Sequence, residues 1–302
     1  MTSTIEGVCP VLAVPFTSDG EVDYESFASL VEWIISLGTK SVLFFGVASE
    51  NIKLSDPERY ALLEMLMDLR QGSKLQVIAS IADHSAELAV KRARDYQSMG
   101  VDYINILPPT FFSPTAEQIK IHISRILGAV HIPAVIQHLP QAGGMKDVAE
   151  LLTLADQYPN LQIIKCEANP PSESILRVRE ITEGRVKTLI GWGGIFWEEG
   201  AAAGAQGIQP GCGLTDLYLW AEKALLSGDQ KEFSERLQKF LPLITTWIND
   251  LELLIAAEKR ILKQRGIIAT DYCRSPTSVI AVQNEKEIAE ALSLVKLVSS
   301  NV

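Results

Sequence analysis

Cysteine is scarce in this 302-residue chain: Cys9, Cys166, Cys212 and Cys273 are the only four, and no two form a Cys-x-x-Cys pair. That excludes a disulfide framework and a cysteine zinc site, and a reducing, cytoplasmic setting fits the thiols. Basic charge is also short, with Lys+Arg 27 against Asp+Glu 37 and a net charge of −10. Lacking any basic stretch interleaved with aromatics, the chain is not expected to bind nucleic acid. No apolar run reaches membrane-spanning length, and Met1-Thr2-Ser3-Thr4 leads into Glu6 without a basic and then apolar leader, so a soluble protein is expected. His84, His122 and His131 share no ligand spacing with one another or with carboxylates, and no metal is assigned. Gly191, Gly193 and Gly194 lack the pattern and the early position of a dinucleotide fingerprint. No cofactor is implied.

What is present is a repeated unit. Eight short β-rich runs recur at Gly7 to Val14, Ser41 to Phe45, Leu75 to Ile81, Tyr103 to Leu107, Pro133 to Gln137, Gln162 to Lys165, Val186 to Ile190, and Gly207 to Gln209. Between them lie segments with helical spacing, such as Phe27-Leu30-Val31-Ile34 and Val148-Leu151-Leu152-Ala155. Alternation at about thirty residues per unit is that of βαβ elements, and the 47% hydrophobic content can fill a large core. The expected fold is an α/β (β/α)8 TIM barrel over residues 1–225, with a C-terminal helical extension, residues 226–302, packed on it. Ser55 and Glu58 form a capping box, so one helix should begin near Asp56. Past the eighth helix, Thr215 to Leu226, the spacing predicts one long helix from Lys231 to Leu262 and a last one from Glu285 to Val298.

Active sites of such barrels lie at the carboxyl ends of the strands, where polar residues close apolar runs. Lys165 closes the run Leu161-Gln162-Ile163-Ile164, and period two puts Glu167 on the same face and Cys166 on the other. A buried ammonium is costly unless paired or deprotonated; a neutral amine is a nucleophile suited to Schiff-base chemistry. A salt-bridged structural lysine is the competing explanation. Gln137 ends the neighbouring fifth run and should lie near Lys165, with His138 beside it as a base or a structural histidine. Ala48 and Ser49, in the turn Gly46-Val47-Ala48-Ser49-Glu50, offer backbone N–H groups and a hydroxyl to a carboxylate, or simply a tight turn. Gly191 and Gly193 permit close approach of backbone to substrate.

Lys165, the turn from Gly46 to Glu50, and the opening Pro10-Val11-Leu12-Ala13-Val14-Pro15-Phe16 with Asp19-Gly20 and Asp23 together resemble the dihydrodipicolinate synthase and N-acetylneuraminate lyase family over nearly the whole length. The resemblance implies a (β/α)8 class I lyase in which Lys165 forms a Schiff base with a 2-keto acid, and a homo-oligomer, tetramer or dimer. Departures are informative. The usual Gly-Thr-Thr-Gly-Glu turn keeps only Gly46 and Glu50, and Tyr-Asn-x-Pro becomes Gln137-His138-Leu139-Pro140, without the relay tyrosine. The arginine that holds the synthase's second substrate falls at Ala142, and Pro108-Pro109-Thr110-Phe111-Phe112 also lacks a tyrosine. These differences argue against a dihydrodipicolinate synthase.

The trio Gln137, Lys165 and Glu167 is similar to the subgroup of 2-keto-3-deoxy-pentonate (L-2-keto-3-deoxyarabonate) dehydratases. That similarity implies dehydration of a 2-keto-3-deoxy sugar acid, with Lys165 as the imine-forming amine, Glu167 as general acid/base and Gln137 orienting a substrate oxygen. An aldolase acting on pyruvate and a pyrroline-carboxylate deaminase are alternatives within the same chemistry. A non-catalytic keto-acid-binding module is the alternative outside it.

Overall fold

The computed structural model describes residues 4–142 and 145–299, so the leader reading at Met1 to Ser3 lies outside the described residues. The strands are β1 (Gly7–Val8), β2 (Ser41–Phe44), β3 (Gln76–Ile81), β4 (Tyr103–Ile106), β5 (Ala134–His138), β6 (Leu161–Cys166), β7 (Lys187–Ile190) and β8 (Gly207–Ile208). All pair in parallel, in the order β1-β8-β7-β6-β5-β4-β3-β2. Val11 bridges to both Leu43 and Gly211, which closes the sheet into a cylinder. Each strand is followed by a helix: α1 (Tyr24–Ser36), α2 (Asp56–Leu69), α3 (Ala86–Ser98), α4 (Ala116–Leu127), α5 (Val148–Leu152), α6 (Ser172–Thr182), α7 (Trp197–Ala203) and α8 (Thr215–Ser227). The fold is the expected (β/α)8 barrel.

Strand parity sorts the core into two layers. Cys9, Val11, Leu43, Ile78, Tyr103, Val135, Ile163 and Leu189 fill the cylinder, while Ile136, Ile164, Cys166 and Ile190 face the helices. Strands buried on both faces read as continuous apolar runs, which is why all eight are visible in the sequence. β1 is shorter than the run from Gly7 to Val14, because beyond Val8 the chain pairs with its neighbours only at the Val11 bridges. α2 starts at Asp56 with its capping box formed, Ser55 N–H donating to Glu58 Oε2 at 2.8 Å.

The chain after α8 departs from expectation at one point. The helix predicted from Lys231 to Leu262 is two, α9 (Gln230–Trp247) and α10 (Leu251–Gln264). The Asp250 carboxylate accepts from Glu252 N–H at 3.0 Å and Leu253 N–H at 3.2 Å, capping a new helix and competing with continuation of the old one. α11 (Val282–Ser299) packs on α8, α9 and α10, and Trp247 Nε1 donates to Glu287 Oε2 at 2.8 Å. Among the described residues no helix is long and apolar enough to cross a membrane.

α10 also holds the turn after β2. Glu50, in left-handed backbone at φ 50, sends its buried carboxylate to the fully buried Lys259 of α10 and to Lys53 Nζ at 3.1 Å. Lys53 continues to Glu252 at 2.6 Å, and Arg274 N–H donates to Glu50 at 3.1 Å. Burial pulls the Lys259 pKa down, the Glu50 carboxylate opposing that shift. Every buried charge here has a partner, as a low-dielectric interior requires.

Candidate active site

Parity on β6 directs Lys165 and Glu167 into the cylinder, since Ile163 before them faces inward and Ile164 and Cys166 face outward. Both lie at the carboxyl end, 6% and 7% exposed, with Lys165 Nζ 3.5 Å from Glu167 Oε1. Gln137 is in direct register with Lys165, and its amide donates to the other Glu167 oxygen. The carboxylate is placed to accept a proton from the amine and to return one to a bound molecule, while Gln137 restricts its rotation.

Glu167 is held by its backbone as well. Its N–H donates to His138 O at 2.9 Å, and its carbonyl accepts from Gln141 Nε2 at 2.7 Å and from the Trp192 indole at 2.9 Å. Gly191 completes the fit: a Cβ there would lie 1.7 Å from Glu167 Oε1, so the carboxylate occupies the space that any other residue would fill.

The remaining predicted residues divide. Ala48 packs against the apolar cluster inside the cylinder, at the same end as Lys165. Ser49 is fully buried, but its hydroxyl donates to Leu12 O at 2.6 Å and is spent within the fold. His138 does not join Lys165; one position after Gln137, it points to the helix layer, beside a cavity of about 20 Å³ lined by Leu107, Ile119 and Met145. Burial there pulls its pKa below the usual histidine value. Its link to the site is the carbonyl that anchors Glu167. Gly193 likewise turns away, its missing side chain making room for Ile244 of α9 while its carbonyl accepts from the Tyr218 hydroxyl. Reasoning from sequence missed Gln141 and Trp192, and it recorded Gln209 only as the end of a run. Gln209 is 3% exposed and faces the cylinder next to Cys9. The rule that singled out Lys165, a polar residue closing an apolar strand, would have found it.

No group of three or more His, Cys, Asp or Glu that could hold a metal occurs among the described residues. Burial raises the Cys9 thiol to about 11, opposed by the nearby Ser41 and Gln209 side chains and by the Lys165 charge, so Cys9 is neutral rather than a second nucleophile. A depression of about 900 Å³, lined by Arg179, Glu183, Lys187 and Gln206, sits at the amino ends of β7 and β8, opposite Lys165.

A model of the dihydrodipicolinate synthetase family matches residues 4–295. The chain belongs to that family. Dihydrodipicolinate synthetase family members are lyases, and the relatives fit that class. Over 294 residues the chain is 25% identical to an uncharacterized DapA-like lyase of Thermofilum pendens, covering 96% of this chain and 97% of that one. It is 29% identical to the 4-hydroxy-tetrahydrodipicolinate synthase of Methanococcus aeolicus over 167 residues, 55% of this chain; there the chain spans only 57% of its relative's length. Among solved structures, the dihydrodipicolinate synthase of Rhodopseudomonas palustris superposes with a TM-score of 0.87 at 22% identity, covering 96% of this chain and 97% of that one. That likeness concerns the fold.

Proposed function

We propose that this family member is a Schiff-base lyase that dehydrates a 2-keto-3-deoxy sugar acid. The reading rests on one observation: Lys165 Nζ lies 3.5 Å from Glu167 Oε1 inside the barrel mouth, with Gln137 bonded to the same carboxylate. Lys165 attacks the C2 carbonyl, and loss of water gives an iminium that acidifies C3. Glu167 removes the C3 proton, and the resulting enamine expels the C4 hydroxyl, which leaves as water with a proton from Glu167. Water adds to C2 of the unsaturated iminium and frees the Lys165 amine. The substrate carboxylate is received at the Ala48 backbone, because both Ser49 donors are already bonded, the hydroxyl to Leu12 O and the N–H to Gly46 O.

Support for dehydration over synthase chemistry comes from what replaces the relay. β5 ends in Gln137 and His138, with no tyrosine, and Ala142 stands where the resemblance expects the arginine that binds a second carboxylate. A single carboxylate serving as acid and base beside the imine suits an elimination within one substrate.

Borohydride reduction in the presence of pyruvate or 2-keto-3-deoxypentonate, followed by peptide mass mapping, tests the reading. The adduct is expected on Lys165, absent in Lys165→Ala, and present in Glu167→Gln, whose turnover falls by about 10²-fold or more. Product analysis decides the reaction: pyruvate plus an aldehyde would make the enzyme an aldolase, ammonia a deaminase, and an active Lys165→Ala variant would end the Schiff-base reading. The same proposal includes a homo-oligomer, which sedimentation measures directly.

A further inference from the structure

Three strands end side by side at the barrel mouth. Cys166 pairs with Ile190 and Ile190 with Ile208, so the next residues, Glu167, Gly191 and Gln209, form a row across β6, β7 and β8. Gln209 N–H donates to Ile190 O at 2.8 Å, which fixes it beside Gly191. Ile208 packs outward against the helices, so Gln209 points into the cylinder, where it is 3% exposed. Its amide is poorly used. Nε2 meets only the Cys9 thiol, at 3.8 Å, and Oε1 has no partner. An amide carbonyl left unbonded in a dry interior is unfavourable, and such atoms in native proteins usually await a water or a ligand.

The row also defines what Gln209 faces. Gly191 has no side chain and the Glu167 carboxylate lies over it, so that carboxylate sits about one strand spacing, ~4.8 Å, from the β8 backbone that carries Gln209. A hydroxyl leaving C4 has to sit against Glu167. A hydroxyl one carbon farther along then falls toward β8, and its O–H is the donor that an orphaned carbonyl lacks.

We propose that Gln209 is a specificity-determining residue whose Oε1 accepts a hydrogen bond from the C5 hydroxyl of the keto-acid substrate. The inference rests on the Schiff-base reading of Lys165 and extends it to substrate selection: the site prefers 2-keto-3-deoxy acids hydroxylated beyond C4 to pyruvate and to short keto acids. Pyruvate, with no hydroxyl, gains nothing from Gln209.

Gln209→Met, which keeps length and volume but removes the amide, is compared with wild type on 2-keto-3-deoxypentonate and on 4-hydroxy-2-oxopentanoate, which lacks the C5 hydroxyl. Gln209→Leu serves as the second variant, and circular dichroism with thermal melting confirms folding. Borohydride trapping with pyruvate is expected to stay within about twofold of wild type, while KM for 2-keto-3-deoxypentonate rises on the order of tenfold or more and that for 4-hydroxy-2-oxopentanoate is unmoved. Equal losses on both substrates, or none on either, would overturn the proposal and make Gln209 a packing residue satisfied by a fixed water. A wild-type protein that traps no keto acid would overturn the Schiff-base reading as well, and that result is distinct from either.

Discussion

Gly191→Ala probes whether the chemistry depends on where Glu167 sits. The added Cβ would stand 1.7 Å from Oε1, 2.5 Å from Cδ and 2.8 Å from Cγ of Glu167. Ordinary contact begins near 3.5 Å, so the carboxylate has to retreat by roughly 1.5–2 Å. Gly191 has φ −94 and so is not in left-handed backbone, and the clash at the added Cβ is the perturbation of interest. Retreat separates the carboxylate from the Gln137 amide and the Lys165 amine together. A misplacement of about 1 Å costs a catalytic group on the order of 10²-fold in rate, equivalent to about 2.7 kcal/mol of barrier. Overpacking costs about 1–3 kcal/mol of stability, or roughly 2–5 °C in Tm for a chain of this size. Two assays separate these effects: steady-state turnover should fall by about 10²-fold, whereas borohydride trapping at Lys165 should persist at high keto-acid concentration. Gly193→Ala is the control. Its Cβ meets Ile244 Cγ2 at 2.8 Å at a φ of +57, so it should lower Tm and leave kcat close to wild type. A Gly191→Ala enzyme with full turnover, or one that loses trapping and turnover in equal measure, would refute the assignment of Glu167 to proton transfer after imine formation.

Other outcomes follow from the buried charges. Lys259→Met removes one partner of a pair that is wholly out of solvent, which typically costs about 3–5 kcal/mol, so Tm should drop by roughly 5–8 °C; an unchanged melt would show that Lys53 and the Arg274 N–H satisfy Glu50 without it. Burial raises the Glu258 carboxyl to about 7 from an ordinary value of 4.5, against a hydrogen bond from Gly213 N–H. Below the lower value it is protonated in both states; between the two the unfolded chain ionises first, so wild-type stability falls as pH rises, and above about 7 the loss stays constant at about 3 kcal/mol. Glu258→Gln should therefore gain on wild type between pH 5 and 8 in urea unfolding, and a difference independent of pH would contradict the assignment. All four cysteines are buried, with Cys212 pushed up to about 12 by burial, so a thiol reagent should find no fast-reacting group until the chain unfolds.

The strands were legible because a parallel barrel buries both faces of each one, leaving short, near-continuous apolar runs where the helices show spaced stripes. The break between α9 and α10 was not, because it is made by one side chain: Asp250 offers the chain a cap in the middle of an otherwise continuous pattern, while Pro242 inside α9 leaves that helix intact. The long apolar stripe from Leu237 onward therefore concealed a boundary set by a local hydrogen bond.

At the site, parity explains which of these side chains meet. Lys165 and Glu167 are two apart and share the inner face; Gln137 and His138 are adjacent, so at most one can point inward, and the register of Gln137 with Lys165 gives that place to the glutamine. The same period that turns Lys165 inward turns His138, in register with Cys166, toward the helices. The fate of the Ser49 hydroxyl had no such signal, because its acceptor is the carbonyl of Leu12, 37 residues earlier, and only closure of the barrel brings them within 2.6 Å. Gly191 permits a close approach, and the side chain that lies in the space it leaves is Glu167. A glycine at a strand end thus signals close approach without naming the visitor, whereas a polar residue at an inward strand end names itself. By that criterion Gln209 belongs with Gln137 and Lys165, on the one strand end of the row whose hydrogen-bonding capacity is still open.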